Sequence, residues 1–524
     1  MPDLAAMQER AGVDVHTVAD LVHRAAGRDP DHLALVHDGS RLTWAELDDL
    51  VDRAAAALRG LGLAPGDRVV LQLGNTPDFP ALYCGALRAG LAAVPANTGY
   101  TGPELTHLLA DSGARALVTS SVLVISAADR LRADAPALEH VLVAAPSGPE
   151  GTVPLPAVLA DATPDPAGRH QPASPEDLAV LLYTSGTSGR PRGAMLSHRA
   201  LLANLDQCGE IRPTVAAPAD VLLLAIPFFH AYGLNPGFGM LAWAGATGVL
   251  VDSFDAAQTL QLMARQRVTN VPAVPAMYVQ WADQPELAEG FASVRLALSG
   301  AAPLPPPVLE RFAAAGVTVY EGYGLTETAP VLTSTLIGGV PKPGSVGRPL
   351  PGVELRLDVE EDEEDADSGG DPGEIVVRGA NLFSGYWPDG AEGPDADGWW
   401  ATGDVAYADD DGDLYLVDRR KELILVSGFN VYPAEVEAVL AGHPDVLEAA
   451  VLGEPDPMRG DETVLAYVVP RPGAELTETA LLEWAAGSLA RFKLPASVVF
   501  TDQLPHSATG KVSKARLRET RATP

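Results

Sequence analysis

Seven short apolar segments recur between Gly66 and Gly300: GDRVVLQLGN, LAAVPAN, ARALVTS, VLLLAIP, ATGVLVD, VTNVPAV and VRLALSG. They read as buried strands, and helical patterns alternate with them, which restricts the chain to a parallel α/β arrangement. The clearest helix is LTWAELDDLVDRAAAALRGLG. Thr43 and Glu46 form its capping box, and Leu47, Leu50, Val51, Ala54 and Leu58 share one face. DFPALYCGALRAG is a second helix, and no short fixed repeat runs through the chain.

Beyond Pro341 the rhythm changes. GVELRLDV, GEIVVRG and DGDLYLVD alternate in short strands with Gly and Asp turns, as in an antiparallel β subdomain. Between them VEEDEEDADSGGD, Val359 to Asp371, reads as a solvated hairpin tip, because nothing there holds its carboxylates in one metal-binding geometry. From Arg419 onward a small α+β pattern follows. The expected organisation is therefore α/β: a large N-terminal domain, residues 1–418, of mixed sheets flanked by helices plus a β subdomain, then a small mobile α+β C-terminal domain, residues 419–524.

Composition excludes several functions. A formal net charge of -33 argues against nucleic acid or an anionic membrane as partner, so an anionic ligand must meet a locally basic site. Cys84 and Cys208, the only cysteines, form no CxxC or Cys/His cluster, which fits a reducing cytoplasm and gives no zinc site. The N-terminus lacks a signal-peptide pattern, and FGMLAWAGATGVLV is shorter than the roughly 18 residues of a membrane span. A soluble cytoplasmic protein is expected. Its oligomeric state is not legible, and a homodimer is compatible with the sequence.

The stretch YTSGTSGRPRGAMLSH, Tyr183 to His198, packs Thr, Ser and Gly before turning basic at Arg190 and Arg192. It reads as strand, glycine-rich turn and a helix capped by Ser197. Such turns present backbone N–H groups and hydroxyls to phosphate, although this one lacks the Gly-Lys of a Walker A loop. Alone it would be an ordinary turn. It is followed in order by YEGYGLTET, WWATGDVA, DRRKELILVSGFNVYPAEVE and SATGKVSK. Together these five motifs resemble the ANL adenylate-forming superfamily of acyl-CoA synthetases, carrier-protein adenylation domains and firefly-type luciferases, over nearly the whole chain.

The resemblance implies that a carboxylate attacks the α-phosphate of ATP, releasing pyrophosphate, and that a thiol then displaces AMP. It assigns Thr184, Ser185, Gly186, Thr187, Ser188 and Gly189 to the β- and γ-phosphates, with Arg192 standing where the family usually has Lys. A guanidinium keeps the charge and can grip phosphate as a fork. Tyr323 matches the residue along adenine, with Gly300, Ala301 and Ala302 at the strand end beside it; Thr326 matches an α-phosphate contact and Glu327 a Mg²⁺ ligand. Asp404 and Arg419 match the ribose contacts. Read singly, Glu327 would pass for a solvated carboxylate, Asp404 for a turn residue and Arg419 for a surface ion pair.

IPFFHAYGLNPGFGML, Ile226 to Leu241, matches the acyl pocket, with His230 as its gate toward the thiol; alone, His230 would be a core histidine. Phe228, Phe229, Tyr232, Leu234 and Phe238 are expected to line it, and Gly233, Gly237 and Gly239 to leave space. An aliphatic acid is the first choice and an aryl acid the alternative. CoA is the expected acceptor because the chain stops soon after Lys511, leaving no fused carrier domain; a separate carrier protein is the rival.

Lys511 matches the lysine that reaches the reacting carboxylate and phosphate. Lys421 matches a hinge that alternately presents Lys511 and the loop Gly428 to Asn430. Lys511→Ala should therefore cripple acyl-adenylate formation, by several kcal/mol judged from comparable electrostatic terms, and spare thioester formation from supplied acyl-adenylate. Gly428→Leu should do the reverse. Acid-dependent pyrophosphate exchange and thioester formation, assayed separately on both folded variants, check this; equal damage to both half-reactions in each variant contradicts it.

Overall fold

The strand and helix rhythm closes into two large sheets rather than one. The computed structural model describes residues 15–165, 174–185, 191–301, 304–358, 373–419, 424–426, 429–431, 433–456, 461–505 and 517. Among these, a seven-stranded sheet runs Val153–Pro154, His140–Val143, Ala116–Thr119, Arg68–Gln72, Ala92–Pro95, Leu178–Ser185, Pro191–Ser197. Its paired neighbours are parallel except the last pair, an antiparallel hairpin. A nine-stranded sheet has a parallel centre, Val319–Gly324, Leu296–Ser299, Asn270–Ala273, Val221–Leu224, Thr247–Leu250 and Leu33–His37, with antiparallel strands at both edges. All seven segments read as strands lie in these sheets.

The helix Trp44–Gly60 begins with the Thr43–Glu46 capping box, each side chain accepting from the other's backbone N–H at 3.2 and 2.8 Å. Leu47, Val51, Ala54 and Leu58 are buried, whereas Leu50 is only half-buried. Arg88, on the helix Asp78–Arg88, bonds Asp48 at 2.6 Å and Asp52 at 2.8 Å, pinning the two helices together below the surface. A buried cation with two carboxylates is one of the few arrangements in which an arginine is stable out of water.

A four-stranded antiparallel sheet follows, Glu354–Asp358, Gly373–Arg378, Trp399–Ala408 and Leu414–Arg419. Arg419 still belongs to this sheet, so the division expected after Asp418 falls one residue inside its last strand. The acidic stretch Val359 to Asp371 lies outside the described residues. The C-terminal part carries a three-stranded sheet, Val446–Asp456, Asp461–Pro470 and Ser497–Phe500, and the helices Pro433–Ala441 and Glu478–Ala486. Among the described residues no helix is long and apolar enough to cross a membrane.

Asn75 joins the two large sheets. Its side-chain amide donates to Leu224 O at 3.0 Å and Ile226 O at 2.9 Å, and its carbonyl accepts from Phe228 N at 2.9 Å, all buried. Asn75→Ala strands three buried backbone groups and should cost about 3 kcal/mol, read as a lower denaturation midpoint; an unchanged midpoint would show that the seam is held elsewhere.

Candidate active site

Strands Asn270–Ala273, Leu296–Ser299 and Val319–Gly324 run parallel, and their carboxyl ends border an open cavity with about 990 Å³ of atom-free space, mouth included. Clefts at that edge of a parallel sheet are the usual ligand sites of α/β proteins. Gly300, Ala301, Tyr323, Thr326 and His230 all line it. A Cβ on Gly300 would sit 3.1 Å from the Tyr232 ring, so glycine is what lets that ring pass the strand end. Ala301 has φ +75°, a left-handed conformation costly for a residue with a Cβ and typical of strained functional edges. Ala302 lies outside the described residues.

One wall carries a buried polar pair. Tyr323 donates its phenol O–H to Asp404 Oδ2 at 2.7 Å, and both residues are buried. Asp404 is not in a turn: it sits in the strand Trp399–Ala408, directly across the ladder from Arg419. The four-stranded sheet thus sets Asp404 against the cavity-lining Tyr323, 81 positions away in the chain, through strand pairing that local sequence does not announce.

A second group forms behind the glycine-rich stretch. Pro191–Ser197 is a strand, not plain loop, and pairs Thr184 with Arg192 and Ser185 with Pro191; helix His198–Gly209 follows, with Ser197 as its N-cap. Gly186, Thr187, Ser188 and Gly189 lie outside the described residues. Arg192 stacks its guanidinium 3.6 Å from the Tyr386 ring centroid and donates to Glu392 Oε1 at 2.6 Å. Tyr386 in turn donates its O–H to Glu327 Oε1 at 2.6 Å. Glu327 is buried, 7% exposed, rather than solvated, on a short turn Thr326–Thr328. A buried carboxylate is an oxygen donor of the kind a hard divalent cation takes, so Glu327 fits Mg²⁺. Tyr386 and Glu392 carry no sequence signal that would have singled them out; a Gly-Tyr-Trp-Pro turn far from the glycine-rich stretch shows nothing of its partner.

The acyl-pocket segment differs most from expectation. Gly233–Gly239 forms a π-helical turn, which changes the spacing of side chains facing each way. Phe228, Leu234 and Phe238 turn into the core, where the two phenylalanines pack against Phe79 and Tyr83. Tyr232 lines the cavity as expected, joined by Pro236 and Met240, with Cys208, Ile211, Val215 and Leu336 from neighbouring elements. Polar side chains interrupt this wall, among them Ser299, whose buried hydroxyl has no hydrogen-bond partner, and Glu321, which accepts from Leu304 N at 2.9 Å. Burial raises the Glu321 pKa.

Phe229 points to the C-terminal part, stacking on Phe429 at 6.1 Å and 18°. Close by along the interface, Lys493 pairs with Glu435 of its own unit at 2.8 Å and with Glu104 of the large one at 3.1 Å. Gly428, Lys421, Lys511 and the side chain of Arg419 lie outside the description.

Two large α/β sheets, followed by a β sheet and a small α+β unit, are the architecture of adenylate-forming enzymes. The sequence profile of the AMP-binding enzyme family matches residues 22–387, and that of the AMP-binding enzyme C-terminal domain matches residues 435–511. A feruloyl-CoA synthase of an Amycolatopsis species is 37% identical over 505 residues, 94% of this chain and 97% of that protein. A long-chain-fatty-acid–CoA ligase of Bacillus subtilis is 34% identical over 537 residues, 96% of this chain and 94% of the ligase. The solved structure of amide bond synthetase McbA from Marinactinospora thermotolerans is similar with a TM-score of 0.84 at 30% identity, covering 96% of this chain and 99% of that one. The chain belongs to the AMP-binding enzyme family, within the adenylate-forming superfamily.

His230 accepts from Tyr232 N at 3.3 Å through Nδ1, which leaves the proton on Nε2, and burial pushes its pKa down to about 4. The folded value lies below the unfolded 6.5, so its contribution to stability is complete above pH 6.5 and is lost as pH falls toward 4. His230→Gln should shrink the fall in denaturation midpoint between pH 7.5 and pH 5, by an amount equivalent to roughly 1–2 kcal/mol. An identical fall in both proteins would show that His230 does not titrate in this way.

Proposed function

We propose that the acid this enzyme activates is apolar, with a fatty acid as first choice. The protein is an AMP-forming acid:CoA ligase, using ATP, Mg²⁺ and CoA. In such a reaction a carboxylate oxygen bonds to the α-phosphorus of ATP as pyrophosphate leaves, and a CoA thiolate then takes the acyl carbon as AMP leaves. The observation that carries the substrate reading is one cavity with two kinds of wall: Tyr323, bonded to Asp404 behind it, stands on one side, and Ile211, Val215, Met240 and Leu336 provide an apolar one.

Asp404, with Arg419 across the ladder, holds the ribose, and Tyr323 lies along adenine beside Gly300 to Ala302. Thr184 to Gly189 and Arg192 hold the outer phosphates, and Thr326 the α-phosphate. Mg²⁺ supplies charge neutralisation at the phosphates, and Glu327, oriented by the Tyr386 hydroxyl, would hold it. His230, neutral at physiological pH, separates the acyl cavity from the side where Phe429 docks. That docking fits the orientation for thioester formation, with Lys511 serving the other orientation and the division between mobile parts lying next to Arg419.

An aryl acid is the second reading. Ser299 and Glu321 favour it, because a ring hydroxyl could satisfy the unpartnered serine where an alkyl chain could not. A panel of aliphatic acids of graded length and of hydroxylated aryl acids, assayed with ATP and Mg²⁺ with and without CoA, decides. Aliphatic acids should support the fastest pyrophosphate exchange, and thioester should form only with CoA. Preference for hydroxylated aryl acids selects the second reading, and no exchange with any acid rejects both.

A further inference from the structure

Arg192 is the one place in the phosphate-side motif where this chain departs from the usual lysine, and its surroundings suit a guanidinium in particular. The planar head lies 3.6 Å from the Tyr386 ring centroid, a stacking geometry that an ammonium does not reproduce. Its Nη1 donates to Glu392, yet its Nε is buried and has no hydrogen-bond partner. A buried guanidinium donor left unpartnered is costly, and an anion arriving beside Thr184, directly across the strand pair from Arg192, would relieve it.

Glu392 is held in place from its backbone. It sits at φ +55°, in the left-handed region, its carbonyl accepts from Trp400 Nε1 at 3.0 Å, and the loop before it is closed by Tyr386 N to Ala391 O at 3.0 Å and Gly390 N to Tyr386 O at 2.8 Å. Tyr386 itself is fixed to the phosphate-side strand: Ser384 N donates to Met195 O at 2.9 Å and Trp387 N to Gly193 O at 2.8 Å. The backbone is thus built and strained, while the ion pair it presents is weak. The Glu392 side chain is 67% exposed and that of Arg192 24%, and pairs of that kind contribute about 0–1 kcal/mol. A polyphosphate, with more charge and several oxygens in fork geometry, is the stronger partner.

We propose that Glu392 is a resident counter-ion which holds Arg192 on the Tyr386 ring until the phosphates of ATP displace it, and that Tyr386 positions Arg192 and Glu327 as one unit. Neither Tyr386 nor Glu392 is a catalytic residue here; both act through Arg192 and Glu327. The inference rests on the reading of Arg192 as a phosphate contact.

The test is equilibrium binding of ATP with Mg²⁺, without acid or CoA, by titration calorimetry on the full chain. Glu392→Gln removes the competing charge and should tighten ATP about two- to fivefold, the factor corresponding to a pair of this exposure. Glu392→Asn, which tolerates the left-handed backbone, should do the same if the glutamine variant folds poorly. Arg192→Gln should weaken ATP, and Glu392→Gln added to it should then change nothing. That null isolates the pair from a general loss of negative charge. Tyr386→Phe keeps the ring and removes the hydroxyl from Glu327, so it should raise the Mg²⁺ concentration needed for half-maximal ATP binding while leaving the salt dependence of binding unchanged. Unaltered or weaker ATP binding by both Glu392 variants overturns the proposal, as does tightening that persists without Arg192. An unshifted Mg²⁺ requirement in Tyr386→Phe removes the link to Glu327. If the wild-type protein binds no ATP, the functional reading falls and takes this inference with it; normal wild-type binding with unresponsive Glu392 variants sinks this inference alone.

Discussion

Everything at the cavity depends on the seam that Asn75 closes. Among the described residues the two α/β sheets have no strand pairing between them, so side chains set their relative placement. At this seam one buried amide bonds three backbone groups across it. Its bonds fall at the carboxyl ends of Arg68–Gln72 and Val221–Leu224, just where Phe228 leads into His230. The phosphate-side hairpin, built on one sheet, and the Tyr323 strand, built on the other, therefore keep a constant separation. A hydrogen bond made in a low-dielectric interior is directional and expensive to break, which suits it to setting a register that apolar packing alone leaves adjustable.

The second constraint is charge. A protein at -33 takes a polyanion, ATP, as substrate, and at Arg192 it holds a cation against one local carboxylate. Elsewhere the same chain uses cations to neutralise acidic clusters: Lys342 lies 2.6, 2.7 and 3.0 Å from Asp409, Asp411 and Asp413. Those carboxylates could be taken for a metal site, but an ammonium already fills it. Arg192 differs because its only ion-pair partner among the described residues is an exposed side chain on a strained loop, so its charge is held in position without being buried in a permanent network. Lys493 shows the opposite solution at the interface of the two parts, buried between Glu104 and Glu435, where exchange with solvent ions is suppressed.

Much of this was legible in residues. Strand–helix alternation announced the α/β layers though not their division into two sheets, the capping box at Thr43 and Glu46 formed as expected, and Tyr323, Thr326 and Gly300 fall on one cavity. Local rules failed where side-chain direction depended on an irregular backbone. Around the π-helical turn Gly233–Gly239, Leu234 and Phe238, like Phe228 before it, lie in the core, whereas Pro236 and Met240 join the expected Tyr232 on the cavity. They failed again for Asp404, because a Thr-Gly-Asp sequence looks like a turn until a neighbouring strand pairs with it.

By itself the sequence determined the family and the alternating α/β framework, because these depend on short-range periodicity and on chemically distinctive residue groups. Only the tertiary structure decided that Tyr386 links Arg192 to Glu327, that Glu392 is the arginine's counter-ion, that Ser299 and Glu321 interrupt the apolar wall, and that Asn75 seams the sheets. Each of these joins residues far apart in the chain through a single directional contact. Such contacts leave no periodic trace in sequence, since one tyrosine, glutamate or asparagine looks the same whether its partner is water or a residue 200 positions away.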